Sequence, residues 1–341
     1  EELSRRRSRG VVSRGTLLGE LPQQVTLRTV DLAGANAGAD DGLLPSVVRE
    51  ISLLRSLSAY GHEGIVRLIG VEVLGEKVHI VTEHLASSFA AWFAQPREAP
   101  SRLRGLLRDR FGQLLRAVAL LHRRGIMHRN LSPPNVLLDP ASGAVKLCDL
   151  AHGRAMDAPL RPYSPEDPKL RAQSAREARR LWYRAPELIL RQPIYGPAVD
   201  CWSVGTLMAE AAAGEPLFPS DSEVDHLFRI FRLAGTPGPG LWPEAVCLPA
   251  FSVRFPVYQP LDLCTLARMV ALAGAGVAEA EARRRLEQRP EVCEALLRCL
   301  RALGVEGSGL LAGLLQLEPR GRCSAEAALR GSFLRRRGAG E

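Results

Sequence analysis

The chain is 341 residues long and 46% hydrophobic, enough to bury one large core or two modest ones, which excludes wholesale disorder. Basic residues total 45 against 37 acidic ones, a formal charge of +8, and all but Lys77, Lys146 and Lys169 of the basic residues are arginine. No zinc-finger spacing, RNA-binding aromatic pair or compact basic helix accompanies that surplus, so direct contact with nucleic acid is not expected and the base composition of coding DNA is its plainer source.

The seven cysteines lack C-x-x-C spacing and read as small apolar residues in a reducing compartment, the cytoplasm or nucleus, with a cytoskeletal or organelle-associated assembly as an alternative. Apolar runs such as 204–214 and 270–278 fall short of the roughly 18 residues a membrane span needs. The opening residues 1–7 carry charges but no apolar signal core.

In chain order, β patterns are expected at 24–30, 65–73 and 77–82, with a helix over 45–57 whose stripe is Val47, Val48, Ile51, Leu54 and Leu57. Residues 1–84 thus read as a small sheet with one helix, and 31–42, rich in Ala, Gly and Asp, as the link into that helix. From 85 to 341 helix patterns dominate: 103–123, 199–213, 223–234, 263–286, 291–303, 309–317 and 324–329. A loop and hairpin are expected at 128–147, and 149–180, poor in apolar period and rich in Pro, Arg, Ser and Asp, reads as a long surface loop.

Three segments carry chemistry together: His128-Arg129-Asn130-Leu131-Ser132-Pro133-Pro134-Asn135, Asp149-Leu150-Ala151 and Ala185-Pro186-Glu187. Their order and spacing resemble the catalytic loop, metal-binding loop and activation-segment end of protein kinases. Residues 45–54, 181–187, 200–205 and 217–223 extend the likeness to the cyclin-dependent kinase branch over nearly the whole chain. The resemblance implies an α+β, bilobal protein-kinase-like fold, with a β-rich N-lobe over 1–84, a helical C-lobe over 85–341 and an activation segment over 149–187.

The departures from the family matter most. Asn130 stands where the resemblance calls for the base Asp, and an amide has no proton-accepting carboxylate, a loss of roughly 10²- to 10⁴-fold for that role. Ser132 replaces a phosphate-steadying Lys. Arg28 replaces the ATP-gripping Lys, although Glu50 holds the matching helix position and an Arg28–Glu50 pair is expected to survive. Of the glycine-rich loop only Gly10 remains, with Arg5 and Arg7 expected to obstruct close approach of a nucleotide. Asn135 and Asp149 match the magnesium pair, which leaves weak magnesium–ATP binding open while no cofactor is required.

Arg49, Arg129 and Arg154 match an anion pocket for a phosphothreonine, at whose position Ala175 stands; Ser174 or Glu177 could fill it, or the arginines could simply hydrogen-bond the loop. Tyr183 and Arg184 resemble the substrate-pocket wall, with packing against the central helix as the other reading. Pro45, Ser46 and Ile51 mark a cyclin-contact-like face. His128, Glu187, Asp200, Trp202 and Arg322 match structural braces, Glu187 and Arg322 as a buried ion pair. Residues 261–303 exceed the family length by roughly 30 residues and read as charged surface helices, a docking surface or a tolerated expansion.

The function this implies is a catalytically inactive, cyclin-dependent-kinase-like scaffold that binds a protein partner, a cyclin or a multi-protein assembly. A weak or atypical ATP-dependent serine/threonine kinase and a nucleotide-sensing switch without turnover are the alternatives.

Overall fold

The computed structural model describes residues 2–7, 10–18, 22–31, 45–59, 61, 63–156, 179–272, 277–287 and 289–335. It has two lobes, a small β-rich one and a larger helical one.

The small lobe is an antiparallel sheet ordered β1-β2-β3-β5-β4, built from β1 (Glu2–Arg7), β2 (Gly10–Leu17), β3 (Gln23–Asp31), β4 (Leu68–Leu74) and β5 (Lys77–Glu83). The first two strands were not expected from the sequence, because their arginines and serines give no alternating apolar signal. Gly10 is what lets β2 lie close against β3: its φ is 127°, and a Cβ there would collide with the Thr29 carbonyl on β3. On β3, Arg28 and Val30 are buried on one face and Val25 on the other, while Gln24 near the strand start is exposed.

Helix α1 (Pro45–Ser58) starts on a proline, whose missing N–H costs nothing at that position, and buries Val47, Glu50, Leu54 and Leu57 along one stripe. Val47 closes a small core with Val30, Val78 and Ile80, whereas Leu54 and Leu57 belong to the main core. Val48, expected on the apolar stripe, is half exposed instead.

The large lobe begins with β6 (Ser87–Ser88) and α2 (Phe89–Phe93), capped by the Ser88 side chain, followed by α3 (Pro100–Arg123). On α3 the helical repeat of Leu103, Leu107, Phe111, Leu114, Val118 and Leu121 is wholly inside. Strands β7 (Ile126–Met127), β8 (Val136–Leu138), β9 (Val145–Leu147) and β10 (Arg154–Ala155) form two small sheets, β6-β8-β9 and β7-β10, that carry the loops of the site. The expected hairpin within 128–147 is the β8–β9 pair.

Below them lie α4 (Pro186–Ile189), α5 (Ala198–Ala213) and α6 (Glu223–Ala234). Helix α5 is apolar all round and buried from Val199 to Ala213, so its few polar groups must bond internally. Ser203 Oγ donates to the Tyr183 carbonyl at 2.7 Å and Thr206 Oγ1 to the Ser203 carbonyl at 2.9 Å.

The helix expected over 263–286 is two, α7 (Leu263–Leu272) and α8 (Val277–Leu286); the intervening Ala-Gly-Ala-Gly stretch lies outside the described residues. The two helices expected over 291–303 and 309–317 make up the stretch α9 (Pro290–Leu314), which is interrupted between them at Gly304, where φ is 65° and ψ is −174°, outside the helical range. Ser324 caps α10 (Ala325–Leu329). The charged stretch of α8 is a solvated face: Glu281 pairs with Arg284 and Arg285, and Arg283 with Glu294, while Ala282 and Leu286 pack into the core. Among the described residues no helix is long and apolar enough to cross a membrane.

Candidate active site

The site lies where the sheet, α1 and the β7–β10 loops converge. Arg28 on β3 faces Glu50 on α1, and Arg28 Nη2 donates to Glu50 Oε2 at 2.5 Å with both side chains over nine-tenths buried. Each would be costly to bury alone, so the pair ties the helix to the sheet. Arg28 Nε is also buried and has no hydrogen-bond partner among the described residues.

On the opposite wall, Asp200 at the start of α5 organises the loop after β7. Its Oδ2 accepts from the His128 N–H and from His122 Nε2, each at 2.9 Å, and its Oδ1 accepts from the Arg129 N–H at 2.7 Å. Burial works to raise the Asp200 pKa; the hydrogen bond from His122, the electrostatic interactions with the His122 and His128 rings and the Arg129 N–H outweigh it, and the carboxyl is held below its ordinary value. These bonds help hold Arg129 at a φ of 64°. His122, in the last turn of α3, is a brace that the sequence reading missed.

His128 is fully buried, which pushes its pKa down. Its neutral ring donates from Nε2 to the Cys148 carbonyl at 3.1 Å and accepts the Asn130 N–H at Nδ1, 3.3 Å away. The expected roles of His128 and Asp200 as loop pins therefore have a direct geometric basis.

Asn130, Asn135 and Asp149 converge. Asn130 Nδ2 donates to Asp149 Oδ2 at 3.2 Å, and Asn135 Nδ2 donates to the Asn130 carbonyl at 2.9 Å. Asp149 sits in the left-handed region at φ 65°. With the Asn135 amide nitrogen committed to Asn130, its oxygen is directed elsewhere, and a carboxylate with an amide oxygen is a hard-oxygen donor set suited to magnesium. Ser132, five residues from Leu137 on β8, is buried; its carbonyl accepts the Asn135 N–H at 2.9 Å.

Each arginine of the expected anion pocket makes a backbone contact among the described residues. Arg49 donates to the Ala151 carbonyl and Arg129 to the His152 carbonyl, each at 3.2 Å, and Arg154 donates to the Gly153 carbonyl at 3.3 Å. Burial lowers the Arg49 pKa, and the like charge of Arg129 lowers it further. These bonds tether the loop; Ser174, Ala175 and Glu177 lie outside the described residues, as do the side chains of Arg5 and Arg7.

The braces below are in place. Glu187 and Arg322, both fully buried, form a two-pronged pair at 2.6 and 3.0 Å, and the Arg322 guanidinium stacks 5.1 Å above Trp202. Tyr183 donates to Glu210 Oε2 at 2.7 Å. Burial raises both groups, Glu210 to about 7. Tyr183 thus packs on α5 while also lining, with Arg184, a cleft beside Asn130. At the start of α1, Pro45 is exposed and Ser46 and Ile51 are half-buried.

The protein kinase domain family matches residues 23–334. The chain belongs to the protein kinase family. Within it the cyclin-dependent-kinase-like branch is the one it resembles: the chain is 36% identical over 245 residues to cyclin-dependent kinase 1 of Encephalitozoon cuniculi (strain GB-M1), which covers 72% of this chain and 76% of that protein. In fold it is similar to the CAK complex from Chaetomium thermophilum bound to ATP-γ-S, with a TM-score of 0.72, 24% identity and coverage of 99% of this chain and 90% of that one.

Kinship with a cyclin-dependent kinase at this identity corrects the expectation of a catalytically inactive pseudokinase scaffold, a non-enzyme with a degenerate site. That expectation weighed Asn130, Ser132 and Arg28 as separate losses. In the fold, Arg28 keeps its partner and Asn130 is bonded to the magnesium-side carboxylate, so the substitutions alter an assembled kinase cleft.

Proposed function

We propose that the chain is an ATP-dependent serine/threonine protein kinase with an atypical, slow transfer step. The observation that carries this reading is Arg28: one guanidinium nitrogen holds Glu50, and another is buried and unmatched among the described residues, where a nucleotide phosphate would supply its acceptor. Arginine keeps the positive charge of the family lysine, with a longer and planar head.

Asp149 and Asn135 would hold magnesium, which when bound neutralises charge on the phosphates. Asn130 keeps a hydrogen-bonding group at the loop position that orients the acceptor hydroxyl. Its Nδ2 is fixed on Asp149, which leaves Oδ1 to accept the hydroxyl proton in a hydrogen bond without removing it. Phosphoryl transfer through a loose transition state depends chiefly on positioning and electrostatics, so the missing base slows the reaction, by about 10²- to 10⁴-fold, without abolishing it.

A protein partner of cyclin type is part of the proposal. The α1 face from Pro45 to Ser46, with half-exposed Val48, supports it, as does the likeness to a chain from a multi-protein complex. The cytoplasm or nucleus is the proposed location, from the thiol pattern.

The test pairs two readouts on one preparation. Magnesium–ATP should raise the melting temperature of the wild type, and Arg28→Met should remove most of that rise. No rise with nucleotide, together with no phosphate transfer, would refute the proposal.

A further inference from the structure

Arg28 is held by Glu50 in the small lobe and Asp149 by Asn130 in the large one, so their spacing across the cleft is set where the lobes meet. On one side, Arg49 of α1 reaches the Ala151 carbonyl at 3.2 Å. On the other, the chain crosses from β5 to β6 through residues 84–86, and the last residue of β5, Glu83, is the centre of a bonded cluster.

Both Glu83 carboxylate oxygens accept from Lys146 Nζ on β9, at 2.7 and 2.9 Å, and each of the two side chains is only 18% exposed. Glu83 Oε1 also accepts the Arg67 N–H at 2.7 Å, while the Glu83 N–H donates to the Arg67 carbonyl at 3.0 Å. The stretch ending at Arg67 is itself bonded to β9: the Val66 N–H donates to the Leu147 carbonyl and the Leu147 N–H to the Gly64 carbonyl, each at 2.9 Å. A half-sheltered carboxylate with donors from two segments far apart in the chain is fixed more firmly than one in an exposed pair.

From this cluster a path leads to each group that would grip the nucleotide. The chain runs on from Lys146 through the end of β9 to Asp149. The neighbour of Glu83, His84, shares a hydrogen bond with Thr26, Nδ1 to Oγ1 at 3.1 Å, and by strand alternation Thr26 lies on the same face of β3 as Arg28. A shift of Glu83 relative to Lys146 therefore changes the gap between Arg28 and Asp149. The arrangement in which Glu83 meets Lys146 is also the one in which Arg28 meets Glu50, so the pair favours the assembled site.

We propose that Glu83 is a positioning residue of the kinase site: its bond to Lys146 sets the spacing of Arg28 and Asp149, and with it the affinity for magnesium–ATP, while the carboxylate itself stays on Lys146 and Arg67. This rests on the kinase reading and adds the side chain that keeps the two gripping groups in register.

The experiment uses the full chain with magnesium–ATP, well below the melting temperature of each variant; binding is read by titration calorimetry, and transfer to a serine peptide as KM and kcat. Glu83→Gln and Lys146→Met should each weaken binding and raise the KM for ATP by about fivefold, the effect of one charge-assisted hydrogen bond at a partly exposed site. Because the grip is needed equally before and during transfer, kcat should stay within about twofold of wild type. The double variant should bind no more weakly than either single one, and Lys146→Arg, which keeps a donor for Glu83, should recover most of the loss. Lower melting temperatures with binding and KM unchanged would make the pair merely structural and overturn the proposal, as would additive losses in the double variant. Nucleotide binding that Glu83→Gln weakens, in a wild type that transfers no phosphate, supports the positioning role while refuting the kinase reading. A wild type that binds no magnesium–ATP overturns both.

Discussion

Asn130→Asp restores the missing carboxylate and separates a chemical deficit from a structural one. In the wild type, Asn130 Nδ2 lies 3.2 Å from Asp149 Oδ2 as a hydrogen-bond donor. The substitution turns that contact into two facing carboxylate oxygens, a repulsion of about 5 kcal/mol at an effective dielectric of 20 before any rotation relieves it. Without divalent metal the pair should hold a shared proton and the melting temperature should fall; magnesium should restore it. With magnesium–ATP in excess, the regained base should speed transfer by about 10²-fold, the lower end of what such a group contributes. The assay is steady-state transfer of labelled γ-phosphate to a serine peptide, with the Asn130→Asp, Asp149→Asn double variant as the blank. A single variant that folds, responds to magnesium and transfers no faster than wild type would refute the reasoning, because proton removal would then not limit the rate.

Breaking the fully buried pair by Glu187→Gln leaves Arg322 without its countercharge and should cost about 3 to 5 kcal/mol in denaturant unfolding, with the Glu187→Met, Arg322→Met double variant recovering part of it; a loss under about 1 kcal/mol would deny the brace. Glu210 has a folded-state pKa raised from 4.5 to about 7, so its contribution to stability is whole below pH 4.5 and fades as pH rises through 7. Measured against Glu210→Gln, the wild type should lose up to about 3 kcal/mol between pH 4.5 and 8; a pH-independent difference would contradict the assignment.

Much of the scaffold is legible in the sequence because its signals are local. The repeat from Leu103 to Leu121 sets α3, the Pro45 start and spaced valines and leucines set α1, and Ser324 marks the start of α10. Where tertiary packing decides, the local pattern fails. The polar β1–β2 hairpin owes its place to pairing with β3 and to Gly10, and no alternating apolar pattern announces it. At the site, Glu50, Asn135 and Asp149 are found by motif, and the motif also shows that Asn130 is an amide. What the amide does is non-local: its bond to Asp149 spans 19 residues and the one from His122 to Asp200 spans 78. His152 and Arg180 carry no motif and share a cleft only because the chain folds them together. Weighing the motif losses separately led to an inactive scaffold; the retained contacts and the kinship with a cyclin-dependent kinase reverse that weighting.

Single-turnover phosphate transfer by the purified chain, compared with Asp149→Asn under the same conditions and with contaminating kinases excluded, bears most directly on whether this cleft is a working one. The account predicts slow, magnesium-dependent labelling of serine or threonine by the wild type, lost in Asp149→Asn. Wild-type labelling no greater than that of Asp149→Asn, with nucleotide bound to both, would contradict it.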